Sequence, residues 1–452
     1  MPERLVVIGG VAAGMSAASR ARKLRPEMEI VVLEKGRDVS YGACGLPYFV
    51  AGLVARPEEL VVYDAQFFRE KRNIDVRLEH EAIAIEPGKK TVHALRGGSQ
   101  PVAVRYDKLI LATGAAPVME LPGSKRPNVF HCNTLAEAIR LRRFLEEHRP
   151  QRAVIIGSGY IGLEVAEALA RRGLEVTILE RSNAVLDGIE PEIEQKLEQA
   201  LAAHGVKLRK GAEAKSILGT GEGPAQSVAY GLSGNERADL VVFSAGIRPR
   251  TELAAEAGIA IGPTGAIATD ERMQTNLPGH YAAGDCAEVR NLVTGKPDYL
   301  PLGTTANKQG RVAGENAAGS AARFDGVVGT LVTRFFELGL ARTGLSVAQA
   351  RAHGFAATQV TVSAYTRAKY FGGKKFLLTL IWDQDSERVL GCQIAGEDDA
   401  AKRIDTAAMA LHARMRIEDL LYVDLSYAPP FAPVWEALLV AANEARKQRR
   451  RA

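Results

Sequence analysis

One unit occurs twice in this chain, and few folds accommodate it: a short apolar strand, a glycine turn, a helix, a second strand and a terminal acid. In the first copy Arg4–Ile8 runs into Gly9-Gly10-Val11-Ala12-Ala13-Gly14, a helix of small residues follows, and a strand over 30–33 ends at Glu34. In the second, a strand over 153–156 runs into Gly157-Ser158-Gly159-Tyr160-Ile161-Gly162, residues 162–172 read as helix, and Glu175–Leu179 delivers Glu180. Such turns let backbone N–H groups approach a pyrophosphate, the helix dipole favours its charge, and the acid accepts hydrogen bonds from ribose hydroxyls. Only the second copy has all three glycines of the dinucleotide fingerprint; Val11 takes the middle position in the first. Glu180 would repel a 2′-phosphate and so favours NADH, while the adjacent Arg181 softens that preference and leaves NADPH open.

At 452 residues and 46% hydrophobic, the chain is long enough for two or three cored domains. No apolar run reaches the roughly 18–20 residues that span a bilayer, and the N-terminus enters a strand at once, so neither a membrane segment nor a secretory signal is expected. Arg446, Lys447, Arg449, Arg450 and Arg451 account for the net charge of +5 and leave the body formally neutral. With no base-stacking or groove-reading motif, that tail is expected to be a frayed, solvated helix end and not a nucleic-acid site. The four cysteines, Cys44, Cys132, Cys286 and Cys392, lack metal-ligand spacing, so no metal is expected. Free thiols fit a reducing cytoplasm.

Two further segments complete the pattern. Tyr106-Asp107-Lys108-Leu109-Ile110-Leu111-Ala112-Thr113-Gly114 is a strand ending in a small-residue turn, and 275–285 reaches Gly284-Asp285 at a strand tip. In this order, first loop, Ala-Thr-Gly turn, second loop and Gly-Asp turn, the chain resembles the flavin-dependent pyridine nucleotide-disulfide oxidoreductases over essentially its whole length. The resemblance implies FAD on the first loop, through Gly9, Val11, Ala12, Ala13 and Gly14 with Glu34 and Lys35. Ala82, Thr113, Gly114, Leu302 and Ala306 are further FAD contacts, and Asp285 binds the ribityl chain. It implies NAD(P)H at Gly157, Gly159, Tyr160, Ile161, Gly162, Glu180, Arg181 and Gly246. The expected fold is α/β, with two Rossmann-like domains and an α+β C-terminal domain. The FAD-binding domain spans 1–117 and 246–324, the NAD(P)H-binding domain is inserted at 118–245, and 325–452 forms the dimerisation domain of a homodimer. Strands over 379–382 and 389–394 and two helices are expected in that last domain.

Cys44 decides the sulfur chemistry. It stands in Ser40-Tyr41-Gly42-Ala43-Cys44-Gly45-Leu46-Pro47-Tyr48, and Phe49 occupies the place where two-cysteine members carry a resolving thiol. Ala12 stands where peroxidase-like members place a histidine. The Cys44 run and the late Tyr427-Ala428-Pro429-Pro430 resemble the coenzyme A-disulfide reductase branch, with Ala43 in place of its frequent asparagine. A thiol ahead of Gly-Leu-Pro is expected to open a helix whose dipole lowers its pKa. The resemblance implies reduction of coenzyme A disulfide through a mixed disulfide at Cys44, with Tyr427 and Tyr370 of a second subunit as proton donors. Arg22, Ser40 and Lys71 are the implied coenzyme A contacts. Coenzyme A persulfide or polysulfide reduction, NADH oxidase activity and a non-enzymatic redox sensor stay open as alternatives. No rhodanese domain is expected, and the other three cysteines are expected to be buried and inert.

Overall fold

The glycine-loop strand lies at the middle of a parallel sheet in both repeats. In the computed structural model, which describes residues 2–397 and 399–449, the first sheet runs His280–Ala282, Lys108–Leu111, Arg4–Ile8, Glu29–Leu33, Asp75–Arg77, all parallel. The second runs Lys207–Arg209, Glu175–Leu179, Arg152–Ile156, Leu240–Phe243, Val129–His131, again parallel. Sheets covered on both faces need strands apolar on both sides, hence runs such as Leu240–Phe243, buried at every residue. The glycine turn leaves the carboxyl end of a strand flanked by neighbours reached in opposite directions, which is where open α/β sheets bind ligands.

The first crossover helix, Ala12–Leu24, packs on Gly303–Ala317 with almost no side chain between them. A Cβ on Gly310 or Gly314 would run into the carbonyl oxygen of Ala13 or Ala17, so this contact requires glycine. The second, Tyr160–Arg171, begins two residues ahead of the expected 162. Between the two parallel units the chain passes through an antiparallel ribbon, Ala115–Pro117 against Ile247–Pro249.

The C-terminal unit is an antiparallel sheet in the order Leu331–Phe335, Leu338–Gly344, Val389–Gly396, Lys375–Asp383, Ala357–Tyr365. Both expected strands lie within longer ones, and four α-helices accompany the sheet, Val347–Ala352, Ile404–His412, Ile417–Leu420 and Ala437–Arg449, where two were expected. Ala357–Tyr365 hides from a hydropathy reading because Thr358, Gln359, Thr361 and Ser363 alternate with buried Val360 and Val362. The basic tail departs from the frayed end expected of it. Helix Ala437–Arg449 is continuous, and Arg446, Lys447 and Arg449 pair with Glu418, Glu444 and Glu387 at 3.8, 2.7 and 2.6 Å. Arg450 and Arg451 lie outside the described residues. Among the described residues no helix is long and apolar enough to cross a membrane, and no His/Cys/Asp/Glu cluster could hold a metal ion.

Candidate active site

The first loop is assembled by contacts that leave no room for side chains. Gly9 has φ of 104°, and a Cβ there would strike the carbonyl oxygen of Ala112, so the Ala112-Thr113-Gly114 turn lies directly on the loop. Val11 has φ of −101°, outside the left-handed region that favours glycine, so the middle position accepts a side chain. The Glu34 carboxylate accepts the N–H groups of Gly10 and Gly36, each at 2.7 Å, and so braces the loop. Lys35 lies 4.0 Å from Glu81, next to Ala82 on the strand His80–Glu86. Thr113 donates its hydroxyl to the Arg250 carbonyl at 2.8 Å, and open space surrounds Gly114.

Gly284 brings the last motif to the same place. A Cβ on it would come 2.8 Å from that of Ala13 and 3.6 Å from that of Ala306, one turn into the helix that Leu302 caps. The Gly284 N–H donates to Gln309 Oε1 at 2.9 Å, which fixes Asp285 beside the loop. Burial pushes the Asp285 carboxyl above the ordinary carboxylate range. A polyhydroxyl chain would supply the donors that this carboxylate needs, and the glycine cradle above it suits a pyrophosphate, so these residues fit FAD.

The second loop repeats the construction. Gly157 has φ of 98°, and a Cβ on it or on Gly162 would crowd Ser244 or the Gly157 carbonyl, while Gly159 and Gly246 face open space. Glu180 accepts Ser158 N at 2.9 Å, Ser158 Oγ at 2.8 Å and Ser182 N at 2.8 Å. Burial pushes its carboxyl up, and these hydrogen bonds outweigh that and hold it below its ordinary value. Arg181 is exposed beside it. The Tyr160 hydroxyl is buried with no hydrogen-bond partner among the described residues, next to half-buried Ile161. The loop fits a pyridine dinucleotide.

Cys44 is tied to the first loop through Ser40, whose N–H donates to the Gly10 carbonyl at 2.9 Å. It lies in the turn Ala43–Gly45, just ahead of the helix Leu46–Ala51, and it is exposed, whereas Cys132, Cys286 and Cys392 are buried. The expected lowering of its pKa by the helix dipole is not found. Desolvation by its surroundings, then the charges of Glu164 and Asp285, push the thiol above its ordinary value. The helix spans only six residues, so its dipole has little weight against two carboxylates.

The segments of Tyr370 and Tyr427 are joined to each other, where Ala368 N donates to the Pro429 carbonyl at 3.2 Å. They are 78% and 50% exposed, available to a second molecule. Arg22 joins the segment of Lys71, but by donating to the carbonyls of Arg72 at 3.1 Å and Asn73 at 2.6 Å. Its guanidinium therefore offers charge more than free donors, while Lys71 is exposed.

Three residues near the site went unread in the sequence. Glu164 and Glu167 interrupt the apolar helix Tyr160–Arg171 and reach the C-terminal unit, where Glu164 accepts the Thr333 hydroxyl at 2.9 Å and Glu167 the Phe336 N–H at 2.8 Å. Arg142 holds the end of the Cys44 helix. An acid on an otherwise apolar helix face was the available signal for the first two; Arg142 gave none.

The family model for pyridine nucleotide-disulphide oxidoreductases matches residues 3–310, and that for their dimerisation domain matches 331–438. The chain is 40% identical to an NAD(P)H coenzyme A polysulfide/persulfide reductase of Pyrococcus horikoshii, over 98% of each chain. It is 29% identical to a coenzyme A disulfide reductase of Staphylococcus haemolyticus, over 95% of this chain and 96% of that one. Among solved structures, an NAD-dependent persulfide reductase from A. fulgidus superposes with a TM-score of 0.96 at 38% identity, over 99% of this chain and 84% of that one. Fold, paired nucleotide loops and both family matches agree: the chain belongs to the FAD-dependent pyridine nucleotide-disulphide oxidoreductases.

Proposed function

We propose that this chain oxidises NAD(P)H and reduces a sulfur–sulfur bond in a coenzyme A-based acceptor at Cys44. The observation that carries the reading is the placement of Cys44, exposed and fastened by Ser40 to the first glycine loop, with Phe49 and no thiol five residues on. FAD, when bound, supplies the electron pair it has taken from the pyridine nucleotide.

The chain's own residues do the rest. The first loop, with Glu34, Thr113, Gly114 and Asp285, holds the flavin nucleotide, flanked by Lys35, Ala82, Leu302 and Ala306. The second loop, with Glu180, Arg181 and Gly246, holds the pyridine nucleotide within the unit at 118–245. The Cys44 thiolate attacks one sulfur of the acceptor; a mixed disulfide forms, and the other fragment leaves as thiolate or hydrosulfide and takes up a proton. Two electrons and a proton then break the mixed disulfide, release the coenzyme A thiol and restore Cys44. In a homodimer through 325–452, Tyr427 and Tyr370 of the second copy stand over Cys44 and protonate the leaving sulfur. Arg22, Lys71 and Ser40 meet the acceptor's phosphates. Unpaired cysteines support a reducing compartment, the cytoplasm.

A coenzyme A persulfide or polysulfide stands ahead of the disulfide as acceptor, because the relative named for it is 40% identical and the one named for the disulfide 29%. Anaerobic steady-state turnover on each acceptor tests this order. A higher kcat/KM on the persulfide is expected; a higher value on coenzyme A disulfide reverses the order, and turnover on oxygen alone displaces both.

A further inference from the structure

The helix that follows Cys44 precedes the NAD(P)H-binding unit in sequence by some way, yet its packing partners come from that unit. Leu46, Phe49 and Val50 share one buried cluster with Leu141 and Leu145 of Leu135–His148 and with Leu163 and Ala166 of Tyr160–Arg171. The polar end of the helix is gripped from the same side. Arg142 Nη1 donates to the carbonyls of Val54 at 3.0 Å and Ala55 at 2.9 Å and approaches that of Phe49 at 3.3 Å. Its guanidinium also lies 4.5 Å from the centroid of the Phe49 ring. Arg172 Nε donates to the Val50 carbonyl. Glu146 pairs with both cations, at 2.9 Å to Arg142 and 3.9 Å to Arg172.

A helix of six residues leaves most of its carbonyls without an internal partner. The Phe49 carbonyl accepts the Gly52 N–H at 3.0 Å and is approached by Arg142 as well, while that of Val50 is such an orphan and Arg172 satisfies it with a charge-assisted hydrogen bond. Glu146 offsets the repulsion between two arginines brought close together. A planar fork can meet two carbonyls and cover a ring at once; a lysine ammonium cannot.

We propose that Arg142, Arg172 and Glu146 are positioning residues for Cys44, locking the end of its helix to the pyridine-nucleotide unit so that the thiol keeps a fixed place between the two nucleotide loops. None of the three touches the sulfur; they act through Leu46–Ala51. The proposal rests on the reading of Cys44 as the reacting thiol.

The test compares FAD-loaded wild type with Arg142→Lys, Arg142→Ala and Glu146→Gln. Three quantities are read: anaerobic NADH-driven reduction of coenzyme A persulfide, NADH-driven reduction of ferricyanide, and the pH profile of alkylation by iodoacetamide. Ferricyanide draws electrons without needing the thiol, and alkylation reports Cys44 because the other cysteines are buried. Arg142→Lys keeps the charge and most of the packing, so it decides the question even where Arg142→Ala fails to fold. Expected are unchanged FAD content and ferricyanide turnover, a fall of about tenfold or more in kcat on the sulfur acceptor, and an alkylation profile moved to lower pH as the loosened thiol gains water. An unmoved alkylation profile, or sulfur and ferricyanide turnover falling in proportion, overturns the proposal. Retained sulfur reduction in Cys44→Ser would instead sink the underlying reading of Cys44 and leave the clamp measurement separate.

Discussion

The proposed mechanism needs Cys44 as a thiolate, and the residues around it oppose that form. Desolvation, Glu164 and Asp285 all push its pKa up, against one backbone hydrogen bond. Alkylation of the enzyme is therefore expected to be slow at neutral pH and to climb through the alkaline range. Glu164→Gln removes a carboxylate that disfavours the thiolate, although burial pushes that carboxyl itself above its ordinary value, so the alkylation profile should move to lower pH and the rate at pH 7.5, a value chosen for the assay at roughly one unit above an ordinary histidine, should rise. An unchanged profile would show that Glu164 does not act on the thiol. At the loop, Gly9→Ala should yield flavin-free or insoluble protein, since its φ of 104° and the Ala112 carbonyl both forbid a Cβ. Val11→Gly should keep the yellow absorbance, because glycine reaches the same negative φ and is the residue the fingerprint itself carries there; loss of flavin there would contradict the account of that departure.

At the scale of elements, the second loop hangs on Glu180. Its folded pKa lies below the ordinary value, so its contribution to stability is complete above the unfolded-state pKa and is lost as pH falls through the folded one. Ser158→Ala deletes one of the bonds that lower it, so NADH affinity should decay at a higher pH on acid titration than in wild type. Coincident acid transitions would rule this out. These strand–turn–helix units were legible because everything that specifies them is local: a strand, its glycines and an acid lie within about 30 residues, the length of one βαβ unit. Glu34 and Glu180 were read as ribose acids, and their role in bracing Gly10 and Ser158 was not visible, because hydrogen bonds to one's own loop leave no trace in composition. Arg142 and Arg172 were illegible for another reason. They grip carbonyls that lie 93 and 122 positions away, and a carbonyl carries no sequence signature. The edge strand Ala357–Tyr365 escaped because its exposed face is threonine and serine, and its partner Lys375–Asp383 is what makes it a strand.

Among the described residues, several large apolar side chains of the C-terminal unit stay uncovered in a single copy. Tyr422, Phe431, Val434 and Trp435 are exposed together with Tyr370 and Tyr427 on the C-terminal unit, an apolar grouping of the kind that marks association. Light scattering should give a mass near twice 48.6 kDa. Phe431→Glu with Trp435→Glu should give a monomer that keeps FAD and ferricyanide reduction but loses turnover on the sulfur acceptor, if Tyr427 and Tyr370 of a second copy are the proton donors proposed above; an active monomer would refute that role. The same geometry makes the sulfur step separable from the nucleotide steps. Anaerobic NADH oxidation with coenzyme A persulfide, comparing wild type with Cys44→Ser at equal FAD content, tests the account most directly. Turnover in the wild type that vanishes in Cys44→Ser, while NADH still bleaches the flavin, is the predicted result. Undiminished sulfur reduction by Cys44→Ser would contradict it.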